Sequence, residues 1–252
     1  MRLIHISLFL LCFTQTMSAI AASLTVYAAA STVSAMKPIE KLWSETGKRN
    51  LRVVYGSSGA LARQISAGAP AHVYFSANRI WVDYLVDEKL ARPESRKTVM
   101  ENRLALIAPA SAKGISIASL ARDVPRLLKD GGRLAMGDPR HVPAGHYAKE
   151  ALTSLGIWSA VAATTARTRN VRLALALVQR GEVPLSIVYR TDALGDPLVR
   201  ILDILPGDLH SPVEYQVVGT ATRHPDSDAF LAFLTSDDAL ALYRAAGFVV
   251  PE

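Results

Sequence analysis

The chain has 252 residues, half of them hydrophobic and 20% charged, a globular balance with room for one large domain or two modest ones. Its 28 Lys and Arg against 22 Asp and Glu give a formal net charge of +6, but the basic residues are scattered and do not interleave with aromatics, so nothing marks a nucleic-acid surface. The single cysteine, Cys12, falls in the N-terminal segment, so the remainder has no disulfide, thiol nucleophile or Cys-ligated zinc.

The first 22 residues have the pattern of an export signal. Arg2 supplies a short positive region, Leu3 to Phe13 ("LIHISLFLLCF") an apolar one, and Ala19 and Ala21 the small residues a signal peptidase needs. Gln15, Thr16 and Ser18 break the run short of the roughly 20 apolar residues of a membrane span. Leu10 and Leu11 before Cys12 do not make a lipoprotein site.

From Ser23 the pattern alternates strand and helix. "SLTVYA" (Ser23 to Ala28) predicts a strand. Val33, Met36, Ile39 and Trp43 then recur at helical spacing until Gly47. "LRVVYG" (Leu51 to Gly56) is a second strand, Leu61 and Ile65 mark a short helix before Gly68, and "HVYFSA" (His72 to Ala77) is a third strand. This rhythm predicts a parallel sheet with helices on its faces. A second block follows, with strands at Arg103 to Pro109, Gly132 to Pro139 and Leu185 to Tyr189, and helices at Gly145 to Gly156 and Asn170 to Gly181. Two helices close the chain, with Asp226 and Ser236 as expected caps. Two α/β blocks without a flexible linker predict hinged lobes with a site between them.

The strand-to-helix turns carry a repeated chemistry. Ser31, Ser57–Ser58, Pro143–Ala144–Gly145 and Asn170–Val171 stand at four of them. In a parallel sheet such turns gather at one edge, where helix N-termini offer unpaired N–H groups to an anion. Each piece alone also fits a plain cap or turn; Ser31 reads as an N-cap and a ligand donor at once. Enzyme patterns are incomplete. Ser34 and Lys37 form S-x-x-K without its partner motifs, and "GSSGA" has Ala60 where a nucleophile elbow has its second glycine. His141 and His146 flank Pro143 and do not share a helix face for a metal, and Asp138 is a turn residue. No carboxylate pair has acid–base spacing.

Five stretches together resemble one family: "VYAAAST" (Val26 to Thr32), "SSGALARQISAGAPAHVYFSAN" (Ser57 to Asn78), "GDPRHVPAGHYAKEAL" (Gly137 to Leu152), "NVRLALALVQRGE" (Asn170 to Glu182) and "SIVYRTDA" (Ser186 to Ala193). They resemble, in order, the periplasmic molybdate-binding proteins, the solute-binding components of molybdate ABC transporters. The resemblance implies a type II periplasmic-binding fold with two α/β lobes, each a mostly parallel sheet flanked by helices. Residues 23–102 and 219–252 would form lobe I and residues 103–218 lobe II. It implies a periplasmic monomer without enzymatic activity or cofactor, which delivers molybdate, and tungstate with it, to a permease driven by an ATPase. The family's contacts carry over onto Ser31, Ser58, Ala144, Val171 and Tyr189: hydroxyls from the serines and the tyrosine, backbone N–H groups from Ala144 and Val171. The protein would hold the oxyanion without ligating its metal atom. Three residues depart from the family pattern: His72 for an acid, Ser186 for a glycine, and Arg190 after Tyr189, a positive charge expected at the cleft mouth. A sulfate binder and an exported hydrolase using Ser34 or Ser58 are the alternatives. Molybdate at neutral pH is a bare dianion whose oxygens only accept hydrogen bonds, so a pocket of donors suits it, whereas protonated phosphate would set its O–H against another donor.

Overall fold

The computed structural model describes residues 23–47, 51–112, 114–115 and 118–251. The expected export signal lies outside them. The first sheet contains β1 (Leu24–Ala29), β2 (Leu51–Gly56), β3 (Val73–Ser76), β4 (Lys97–Asn102) and, from late in the chain, Val213–Gly219. The second contains β5 (Leu104–Pro109), β6 (Leu134–Gly137), β7 (Thr165–Thr168), β8 (Leu185–Tyr189) and β9 (Val199–Ile204). Val213–Gly219 is therefore β10. The helices are α1 (Val33–Glu45), α2 (Ser58–Ser66), α3 (Arg79–Asp87), α4 (Leu120–Leu127), α5 (Pro143–Ser154), α6 (Trp158–Val161), α7 (Val171–Gln179), α8 (Arg190–Ala193), α9 (Ser227–Phe233) and α10 (Asp237–Ala245).

The two sheets repeat one plan. Their orders are β2-β1-β3-β10-β4 and β7-β6-β8-β5-β9. In each, the first three strands are parallel, and the fourth, β10 or β5, runs against both of its neighbours. The sheets are thus mixed. Each antiparallel strand is the first that the chain lays down after crossing from the other sheet. One crossing is Arg103 alone, between β4 and β5; the other is residues 205–212, between β9 and β10. The sequence places the return to the first lobe at residue 219. The structure corrects this to Val213, because Val213–Gly219 pairs along both edges, with β3 and β4. Pro212, which cannot donate to a ladder, directly precedes this strand.

Burial explains the strands that sequence predicts. β1, β5 and β8 are near-continuous apolar runs covered on both faces. α1 buries Ala35, Met36, Ile39 and Trp43, and Trp43 meets Phe230 of α9 edge-on at 4.9 Å between ring centres. The last turns of β1, β2, β6 and β7 lead directly toward helix starts, so these N-termini gather along the facing edges of the two sheets.

Candidate functional site

Two helix starts are capped as their sequences predict. Asn170 Oδ1 accepts from the Leu173 amide at 3.0 Å, and Ser236 Oγ from the Ala239 amide at 3.4 Å. Two other capping expectations are corrected. Asp226 occupies the cap position of α9 without a side-chain capping bond, while the neighbouring Ser227 Oγ accepts from the His224 amide. Ser31 lies inside a 3₁₀ turn, Ala30–Thr32, capped by Ala29, and its hydroxyl accepts from Tyr215 Oη at 2.8 Å. Ser31 also lines a cavity.

That cavity lies between the lobes and is tight: the space open to the centre of a water-sized sphere is about 10 Å³. All five residues singled out in the sequence line it: Ser31 and Ser58 from the first lobe, Ala144, Val171 and Tyr189 from the second. Among the described residues Tyr189 is the only ionisable side chain in its lining, so any charge it takes is met there by neutral groups.

Close backbone packing places the donors. Ser57 caps α2 by accepting from the Ala60 amide at 3.4 Å, which leaves Ser58 as the first helical residue. Ser58 is fully buried, and its Oγ accepts from the Ala77 amide at 3.0 Å. Pro143 opens α5 at the position where a missing N–H costs nothing, and Ala144 follows it. A Cβ on Gly145 would overlap the Gly137 carbonyl oxygen, so only glycine lets this helix start sit against the end of β6. Val171 opens α7. Ser58, Ala144 and Val171 thus stand in first turns, where backbone N–H groups have no intrahelical acceptor.

Tyr189 ends β8 and is 1% exposed, yet its hydroxyl has no hydrogen-bond partner among the described residues. Its ring lies 5.8 Å from that of Tyr215. Burial pushes both phenols well above the ordinary tyrosine range, so each keeps its proton. Below them Asp192 faces Arg172 at 3.2 Å; burial raises its carboxyl to about 6 against the pull of that guanidinium.

The three departing residues do not line the cavity. His72 Nδ1 accepts from the Thr25 amide at 2.9 Å, and Ser186 Oγ donates to the Ala135 carbonyl at 2.9 Å. Arg190 Nη1 donates to the Gly247 carbonyl at 3.2 Å. The hydrolase patterns lack a base: Ser34 is exposed while Lys37 pairs with Glu40 at 3.3 Å, and Ser58 Oγ meets the Ala77 amide and, among the described residues, no basic side chain. His146 faces Glu150 at 3.1 Å, and the His141 carbonyl accepts across the cleft from the Gly59 amide at 3.1 Å. Tyr215 and Asn102, which touch the site from behind, have no local sequence signal; the Tyr215–Ser31 bond spans 184 positions.

Comparison with known proteins gives concordant results. The family model described as bacterial extracellular solute-binding protein matches residues 24–249. The molybdate-binding protein ModA of Escherichia coli (strain K12) is 40% identical over 228 residues, 90% of this chain and 89% of that protein. Its counterpart in Haemophilus influenzae is 40% identical over 232 residues, 91% of each. The structure of the periplasmic molybdate-binding protein of Azotobacter vinelandii aligns with a TM-score of 0.79 at 23% identity, covering 91% of this chain and all of that one.

Proposed function

The chain belongs to the family of bacterial extracellular solute-binding proteins, and from that membership we propose that it binds molybdate, and tungstate with it, and delivers the oxyanion to an ABC-type permease driven by an ATPase. Ser31, Ser58 and Tyr189 donate hydroxyls to the anion, and Ala144 and Val171 donate backbone N–H groups. The protein works as a monomer in the periplasm, exported by a signal within residues 1–22, and needs no cofactor.

One observation carries this reading: a small interlobe cavity lined by neutral groups, with the buried Tyr189 hydroxyl left without a partner among the described residues. Stripping water from a dianion costs several kcal/mol per charge. Each hydrogen bond to a charged group returns about 1.5–3 kcal/mol. Several donors must therefore converge, and the five positions provide them from both lobes. The 40% identity to two proteins named for molybdate supports the choice of oxyanion. Tungstate follows on near-equal size and charge.

A thermal-shift panel tests the proposal. A ligand at a hundred times its Kd adds about 2.7 kcal/mol of apparent stability, which for a chain of this size is roughly 5–10 °C. Molybdate and tungstate should each produce such a rise, smaller sulfate a lesser one, and phosphate none. A melting temperature unmoved by molybdate overturns the reading.

A further inference from the structure

Behind Ser31 lies a chain of hydrogen bonds whose direction is set at its far end. The Arg103 amide, which can only donate, bonds Asn102 Oδ1 at 2.9 Å. This fixes the orientation of the Asn102 amide, so its Nδ2 is the group that meets Thr191 Oγ1 at 2.8 Å and Tyr215 Oη at 3.4 Å. With a lone pair of Oη engaged there, the Tyr215 proton goes to Ser31 Oγ at 2.8 Å. Ser31 Oγ thus receives a hydrogen bond from the protein and keeps its own proton for the cavity it lines. Ser58 is fixed in the same way, because the donor to its Oγ is the Ala77 amide, 3.0 Å away.

We propose that Tyr215 and Asn102 are specificity-determining positioning residues: they hold the Ser31 hydroxyl as a donor toward the cavity and so make the site select tetrahedral dianions that carry no proton. The inference rests on the oxyanion reading above and extends it. A free serine hydroxyl both donates and accepts, and could receive the O–H of a protonated oxyanion by turning round. Here the Tyr215 proton already holds one lone pair, so accepting from the ligand on the other would turn the Ser31 proton away from the cavity, where no acceptor among the described residues meets it in a buried site. Tyr215 has no exposed surface, and its raised phenol stays protonated, so the direction does not change with ordinary pH. The relay also starts at the hinge. Asn102 is the last residue of β4, Arg103 is the crossing, and Thr191 belongs to the second lobe. The same amide that directs Tyr215 therefore ties the lobes together behind the cavity.

The test is calorimetric affinity for molybdate, sulfate and hydrogen phosphate at pH 8, where all three are predominantly dianions and only phosphate carries a proton. Tyr215→Phe keeps the ring and removes the hydroxyl. The molybdate-to-phosphate affinity ratio should fall about tenfold or more, the equivalent of one hydrogen bond, while the molybdate-to-sulfate ratio stays within about twofold. In a Ser31→Ala background the same substitution should leave the phosphate ratio unchanged. Asn102→Asp provides a second variant should Tyr215→Phe fold poorly: a carboxylate oxygen in place of Nδ2 draws the Tyr215 proton away from Ser31 and should shift the phosphate ratio the same way. Unchanged phosphate ratios in both variants, or equal shifts for sulfate and phosphate, overturn the relay while wild-type molybdate binding leaves the oxyanion reading standing. A wild-type protein that binds none of the three overturns both.

Discussion

Ser58 and Tyr189 line the same cavity but stand in opposite relations to the fold. Ser58 Oγ already accepts from the buried Ala77 amide, whereas the Tyr189 hydroxyl has no partner among the described residues. Removing either hydroxyl should weaken molybdate binding by about 1.5–3 kcal/mol, the worth of one bond to a charged group. Their effects on the ligand-free protein should differ. Ser58→Ala strands the Ala77 N–H, so urea denaturation should show a loss of about 1–3 kcal/mol. Tyr189→Phe strands nothing and should leave that stability within about 0.5 kcal/mol of wild type. Equal denaturation midpoints for the two variants would mean that Ser58 does not hold β3 to α2 in the way its geometry indicates. The five cavity positions were legible in the sequence through the family pattern around them. Ser31's actual partner was not, because a tyrosine 184 positions away on another strand leaves no mark on the local spacing.

Glycines set how closely the elements of the site approach one another. Gly59 in α2 donates to the His141 carbonyl just ahead of α5, and a Cβ there would come within 2.6 Å of that oxygen and overlap the Trp81 ring. Trp81 is half-buried and belongs to the same lobe, whereas the carbonyl belongs to the opposite lobe, so relieving that contact widens the cleft. Gly59→Ala should therefore weaken molybdate affinity about five- to 150-fold, in line with the roughly 1–3 kcal/mol of an overpacked contact. Wild-type calorimetric affinity in this variant would show that the α2–α5 contact is not part of the bound state. Gly59 is visible in "GSSGA", but its role is not, since spacing alone gives a turn residue. Strands divide along the same line. β1, β5 and β8, buried on both faces, announce themselves as apolar runs. β4, β7 and β9 lie at sheet edges and carry Lys97, Arg167 and Arg200, which dilute the pattern. β10 is central, yet Glu214 and Gln216 interrupt it. Gln216 is buried because Arg96 and Thr98 on the neighbouring strand segment satisfy its amide.

At the scale of the whole molecule, neither lobe can hold a dianion alone. Ser31 and Ser58 belong to one lobe, and Ala144, Val171 and Tyr189 to the other, so an open cleft offers only part of the hydrogen bonding that must offset desolvation. The connections permit motion. One crossing is the single residue Arg103, the other is residues 205–212, and the Asn102–Thr191 bond lies close to this axis. The Gly59–His141 bond spans the cleft farther from the crossings in sequence and forms only when the lobes meet. The arrangement described here is thus the closed one, and a ligand that touches both lobes must favour it over any open form by its differential contacts. Small-angle scattering provides the measure. A compact single body of this length has a radius of gyration of roughly 17–18 Å, and a two-lobed shape with an open cleft exceeds that. Adding molybdate should shrink the radius toward the value calculated from the closed structure, whereas hydrogen phosphate should leave it unchanged. Gly59→Ala, obstructed at the closing contact, should show a smaller contraction even when molybdate is saturating. A wild-type radius unmoved by saturating molybdate would mean that the lobes are already closed before binding, and the anion would then have to enter by a local opening around the 3₁₀ turn at Ala30–Thr32 or the starts of α2, α5 and α7 instead of through the hinge.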